Sequence, residues 1–141
     1  MITSTMMLAG CASTSFPMTA CKSDAKMAIT TFDSVWFDGD GKMQWRFPWG
    51  MVAYETKGDL LLFNEYLEFR RSDGTGFEMR NIQDVTMKNL KMTFADPNQW
   101  IAVRYGLPPN DREVYFLDGA GLGWRKNTSS WFGTIKNQYK K

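Results

Sequence analysis

Few side chains in this chain could carry out chemistry. Carboxylates at Glu55, Glu65, Glu68, Asp84 and Asp118 could act as acid, base or ligand, but no spacing in the sequence pairs two of them. Histidine is absent. That removes the commonest general base and transition-metal ligand, and with them any His-dependent triad or imidazole zinc site. No serine or cysteine lies in a nucleophile motif. Asp38-Gly39-Asp40-Gly41-Lys42 opens like a calcium loop, but Lys42 stands where a third oxygen donor belongs. Trp49 stands where the closing glutamate belongs, so the stretch reads as a hairpin turn. Gly119-Ala120-Gly121-Leu122-Gly123 lies between a strand and a helix, as a phosphate-cradling loop would. Trp124 takes the place of the last glycine of the dinucleotide pattern, the Walker lysine is missing, and too little chain follows for a βαβ unit. These glycines read as a corner that lets the helix fold back. Asn127-Thr128-Ser129 has the glycosylation pattern and reads better as a helix cap. No enzyme activity, cofactor or metal is expected from these residues.

Charge gives a similarly plain reading. With 17 basic and 15 acidic residues the net charge is +2, too little for the dominant basic patch of a nucleic-acid binder. Arg70, Arg71, Arg80, Lys88 and Lys91 could form a modest positive face, with a solvated strand surface as the plainer account.

The elements that must position these side chains are mostly strands. A length of 141 residues sets one domain with a real core, and an aromatic share of 15% suits strands. No apolar run approaches the ~18 residues of a spanning helix. Met51 to Glu55 reads as a strand, followed by a turn at Thr56-Lys57-Gly58-Asp59. Leu60 to Phe63 and Tyr66 to Arg70 follow, joined at Asn64-Glu65. In the second of these, Leu67 and Phe69 alternate with Tyr66, Glu68 and Arg70 as in a half-buried strand. Ser72 to Gly76 has hairpin chemistry and leads into Phe77 to Arg80. Ile82 and Val85 open another strand. Trp100 to Gly106 and Glu113 to Gly119 are two more, separated by the proline loop from Leu107 to Arg112. From Thr128 the period changes: Trp131, Phe132, Ile135 and Tyr139 form a helical stripe, with Asn127 or Thr128 as N-cap and Lys136, Lys140 and Lys141 at the C-terminal end.

In order and spacing these segments resemble the pleckstrin-homology-like superfold, in particular its GRAM and bacterial PH-like branches, over residues 51–139. GDLLLFNEYLEFR matches the paired second and third strands, FEMRNIQDV the next step, WIAVRYG and EVYFLDG the later strands, and GLGWRKNTSSWFGTIKN the loop and capping helix. The resemblance implies a mainly β fold, a bent antiparallel sandwich or partly open barrel with one C-terminal amphipathic helix plugging an opening. Phosphoinositide-binding relatives gather basic residues in the loop joining their first two strands. Here Thr56 to Asp59 would be that loop, and its single lysine beside an acid does not carry the site over. Upstream, Phe32, Trp36, Phe37, Trp45, Phe47 and Trp49 crowd residues 32–49. They read as an added strand pair packed on the domain, or more sharply as an exposed aromatic face for a membrane or partner.

At the N-terminus, Leu8-Ala9-Gly10-Cys11 resembles a bacterial lipobox, in which the cysteine takes a diacylglycerol and becomes the first residue. Ala12 to Lys26 has the Ser, Thr, Ala and Lys content of a flexible tether, and Ala12 and Ser13 point to the outer membrane. No Lys or Arg precedes Cys11, as a signal's positive n-region requires, which places the expected start upstream. Residues 1–26 are thus expected to be partial signal and tether, and 27–141 a single PH-like domain. If Cys11 is lipidated, Cys21 is a lone thiol; otherwise the two could pair in an oxidising compartment. The resulting expectation is a membrane-tethered envelope module contacting a protein or lipid at a membrane surface, an oligomer being compatible with this. The rivals are a cytoplasmic PH-like interaction or dimerisation module with its N-terminal residues packed on the barrel, and a ligand carrier or enzyme using a barrel pocket.

Overall fold

The computed structural model describes residues 16–39, 56–90, 98–119 and 127–140. Among these residues eight strands form one antiparallel sheet: β1 (Thr19–Ala20), β2 (Thr30–Asp38), β3 (Thr56–Leu62), β4 (Leu67–Arg70), β5 (Thr75–Met79), β6 (Ile82–Leu90), β7 (Asn98–Tyr105) and β8 (Arg112–Asp118). A 3-10 turn (Ala25–Met27) precedes β2, and α1 (Thr128–Gln138) ends the chain. The strand order is β1-β5-β4-β3-β2-β8-β7-β6. Although β5 and β6 lie near opposite ends of that order, only Arg80 and Asn81 separate them. The sheet must therefore curl on itself, and the Gly106 amide fastens the corner by donating to the carbonyls of Arg80 and Asn81 at 3.0 and 3.1 Å. The architecture is mainly β, a partly open barrel with a single C-terminal helix.

Alternation supplies the core. Leu60 and Leu62 of β3, Leu67 and Phe69 of β4, Ile101 and Val103 of β7, and Val114 and Phe116 of β8 all point inward. In two strands the inward residues are three apart. A register irregularity lies between Phe32 and Val35 in β2, where Ser34 has φ 56°, and another between Ile82 and Asp84 in β6. Each extra residue re-aims the strand, so that Phe32 with Val35, and Ile82 with Val85, share the core face. On the other face, Trp100 and Leu117 are buried with Trp36 and Tyr115 packed against them.

α1 bridges the flanks of the curled sheet. Ile135 is fully buried, Trp131 stacks on Phe32 at 4.8 Å between ring centroids, and Lys136 Nζ donates to the Val85 carbonyl at 2.8 Å. The Tyr139 hydroxyl lies 2.6 and 2.7 Å from the carbonyls of Phe63 and Tyr66. The N-cap position is Asn127, but its side chain makes no capping bond. Asp118 fastens this end instead: its Oδ2 accepts from the Asn127 amide, and its own amide donates to Thr128 Oγ1.

Burial raises the Tyr139 pKa above its usual value, and Tyr115, half-buried and bonded to Glu113, is pushed up to about 12. The folded state thus holds these phenol protons more tightly than the unfolded chain does. Their contribution to stability is intact below about pH 10 and is lost as pH rises toward the folded values. Tyr139→Phe is expected to cost ~1 kcal/mol at neutral pH and to flatten the alkaline loss of stability. Thermal midpoints across the alkaline range test this, and a profile parallel to the parent's would count against it.

Two sequence expectations change. Thr56 to Asp59 is the start of β3 and not a turn. Gly58 is required there by close packing, since a Cβ would lie 2.4 Å from the Arg70 carbonyl oxygen of the neighbouring strand. Residues 16–26 do not form a loose tether: Phe16 is buried against Phe37 and Phe77, β1 pairs with β5, and the Cys21 amide donates to the Gly74 carbonyl. Of the aromatic segment, Phe32 and Phe37 are buried and Trp36 is half-buried, so this part packs on the domain. The strand expected at residues 51–55 and the aromatics at 45, 47 and 49 lie outside the described residues.

Candidate functional site

The outer face of β4 and β5 carries the most unusual polar arrangement among the described residues. Strand alternation turns Glu68 and Arg70 away from the core, and register sets Glu78 of β5 directly opposite Glu68. On an open sheet all three would be solvated. Here β1 and the residues after it lie across them as a strap, leaving Glu68 only 1% exposed. Arg70 aims both its Nε, at 2.7 Å, and its Nη2 at the same oxygen, Glu68 Oε2, and Nη2 also donates to the Ser23 carbonyl at 2.8 Å. Glu68 Oε1 is therefore left buried with no hydrogen-bond partner among the described residues.

A pocket of about 320 Å³ lies at this carboxylate, lined by Thr19, Cys21, Lys22, Glu68, Gly76 and Glu78 among others. Cys21 is a free, half-buried thiol. Burial raises its pKa, and the neighbouring Glu68 carboxylate raises it further, against the opposing pull of Arg70. The thiol is held protonated, as a weak donor and not a thiolate nucleophile. Ser23 Oγ lies 2.7 Å from the Tyr66 hydroxyl and 3.5 Å from Glu78 Oε2, fixing the strap's far side.

Of the residues marked in the sequence as a basic face, the four that are described each meet a local partner. Arg70 is engaged by Glu68. Arg71 donates to Thr75 Oγ1, at 2.9 Å from Nε and 2.7 Å from Nη2, beside Asp73. Arg80 pairs with Glu78 at 2.8 Å and lies over the Tyr66 ring, and Lys88 pairs with Glu113 at 2.7 Å on the far side of the sheet order. Each of these four charges is answered locally, so these four do not leave a free positive surface among the described residues. Lys91 and Cys11 lie outside the described residues, as does Glu55. Of the other carboxylates, Asp84 pairs with Lys136, Asp118 fastens α1, and Glu65 lines an open groove beside Tyr139. They are not brought together with Glu68.

Sequence reading placed Glu68 and Arg70 on one strand face but missed the site, because Cys21 and Ser23 were assigned to a tether. The polar composition of residues 12–26 gives no sign of the edge pairing that covers them. No family model, no curated protein and no solved structure matches the chain.

Proposed function

We propose that the chain is a non-enzymatic binding or assembly module of the PH-like kind, contacting a protein or lipid at a membrane surface and tethered through Cys11 to the bacterial outer membrane. The curled antiparallel sheet bridged by a C-terminal helix supports the PH-like part of this reading. The observation that carries the binding part is the pocket beneath β1, where a buried carboxylate oxygen lacks a donor. The address rests on Leu8-Ala9-Gly10-Cys11. Only Ala12 to Ser15 separate Cys11 from the anchored Phe16, so a lipid on Cys11 would hold the barrel within ~20 Å of the bilayer.

A second reading, a cytoplasmic PH-like interaction module, is favoured by a specific observation: the chain packs on the barrel from Phe16 onward. The experiment that separates the two expresses the protein with its complete upstream signal and compares it with Cys11→Ala. The envelope reading expects the parent in the membrane fraction as a mature chain starting at Cys11 with diacylglyceryl and acyl mass, and the variant released from that fraction. A soluble, unmodified parent that retains Met1 to Gly10 would establish the second reading.

A further inference from the structure

We propose that the pocket beneath β1 binds a primary alkyl ammonium group, held between the carboxylates of Glu68 and Glu78. This assignment rests on the binding-module reading and names its ligand chemistry. Glu68 and Glu78 stand directly opposite each other on adjacent strands, where like charges repel unless a cation lies between or beside them. Arg70 and Arg80 each answer one oxygen of the pair, Oε2 of Glu68 and Oε1 of Glu78. The other two oxygens are left over: among the described residues Glu68 Oε1 has no partner, and Glu78 Oε2 has only the 3.5 Å contact from Ser23, longer than an ordinary O–H···O bond. Both residues line the same pocket.

Two charged acceptors with spare capacity call for a group that carries positive charge and only donors, which is an ammonium. The third potential donor atom, Cys21 Sγ, is held as a protonated thiol, and no cluster of three metal-binding side chains forms among the described residues. That disfavours a metal ion as the ligand. Ala20, Gly76 and Phe77 offer apolar surface to a short alkyl stem. Lys22 is exposed at the rim and is in no ion pair among the described residues, so the chain's own ammonium does not fill the place.

The test titrates the 15N-labelled full chain with butylammonium chloride against sodium chloride of equal ionic strength, reading the amide shifts of Cys21, Gly76 and Glu78. Saturable shifts with the amine alone are expected, with affinity falling by about tenfold in both Glu68→Gln and Glu78→Gln as one charge-assisted bond is lost. Shifts that stay linear, or that sodium reproduces, would overturn the site. So would a Glu68→Gln affinity equal to the parent's. Should that buried variant not fold, an unchanged affinity in the half-exposed Glu78→Gln would overturn it as well. Nα-acetyl-lysinamide titrated in parallel distinguishes the source of the ammonium: tighter butylammonium binding indicates a free amine, and tighter lysinamide binding a lysine side chain. A chain that still reaches the membrane through Cys11 yet ignores both amines loses this site and keeps the module reading.

Discussion

Phe37→Ala is expected to destabilise the protein by ~3–5 kcal/mol, the range for deleting a fully buried large aromatic whose cavity cannot collapse. Phe37 is 0% exposed and lies at the centre of an aromatic cluster. Its ring centroid is 5.0 Å from Phe69, 5.2 Å from Phe16, 5.3 Å from Phe77 and 5.5 Å from Phe116. Through these contacts a single β2 side chain joins β4, β5, β8 and the segment leading into β1. The rings around it belong to four separate segments, three of them strands fixed by backbone ladders, so they cannot close the gap by repacking one another. Urea unfolding of the variant measures the loss. Leu107→Ala, on a residue 64% exposed, should stay within ~0.5 kcal/mol of the parent. A Phe37→Ala loss below ~1 kcal/mol would mean that this cluster is not the packed centre of the domain.

Arg70→Ala should cost a similar ~3–5 kcal/mol for an electrostatic reason. Among the described residues only this guanidinium donates to the Glu68 carboxylate, and Glu68 is 1% exposed. Removing Arg70 strands a buried charge beneath β1 and also releases the Ser23 carbonyl from its donor, loosening the strap. The cost lies in the charge left behind and not in the net strength of the pair, so deleting both charges should be milder than deleting one. Glu68→Leu/Arg70→Leu is therefore expected to be more stable than Arg70→Ala in the same urea titration. A double variant no better than the single would show that the ion pair itself, and not the stranded carboxylate, carries the effect. In that case Glu68 would also lose its standing as a high-energy group in need of a donor.

The two substitutions probe different levels of what could be read in advance. The inward set of β4, β7 and β8 was legible because period-two alternation in YLEFR, WIAVRYG and EVYFLDG is a local property: neighbouring side chains on an extended chain must face opposite ways whatever the tertiary partner. The helix at Thr128–Gln138 was legible for the same reason, from the spacing of Trp131, Ile135 and Tyr139. Glycine misled at position 58. A glycine next to an aspartate reads as a turn, whereas the requirement here is the nearness of the Arg70 carbonyl, a partner that only strand pairing brings up. Bulges hid in the same way. Ile82 and Val85 looked like the loose entry to a strand, and only the register with β7 reveals an extra residue that keeps both on the core face.

By itself, then, the sequence determined a mainly β domain closed by one helix, lacking histidine chemistry and lacking a strong field, because composition and periodicity are properties of the chain alone. Tertiary structure decided the site. Glu68 sits on what alternation labels a polar face, and nothing in its neighbours says that this face is covered. The cover comes from Thr19 to Ser23, more than forty residues away, through the two residue pairs of β1 with β5 and the bonds of Cys21 and Ser23. Burial is a property of that meeting and not of either segment, and it turns an ordinary surface glutamate into a carboxylate with an oxygen left to fill.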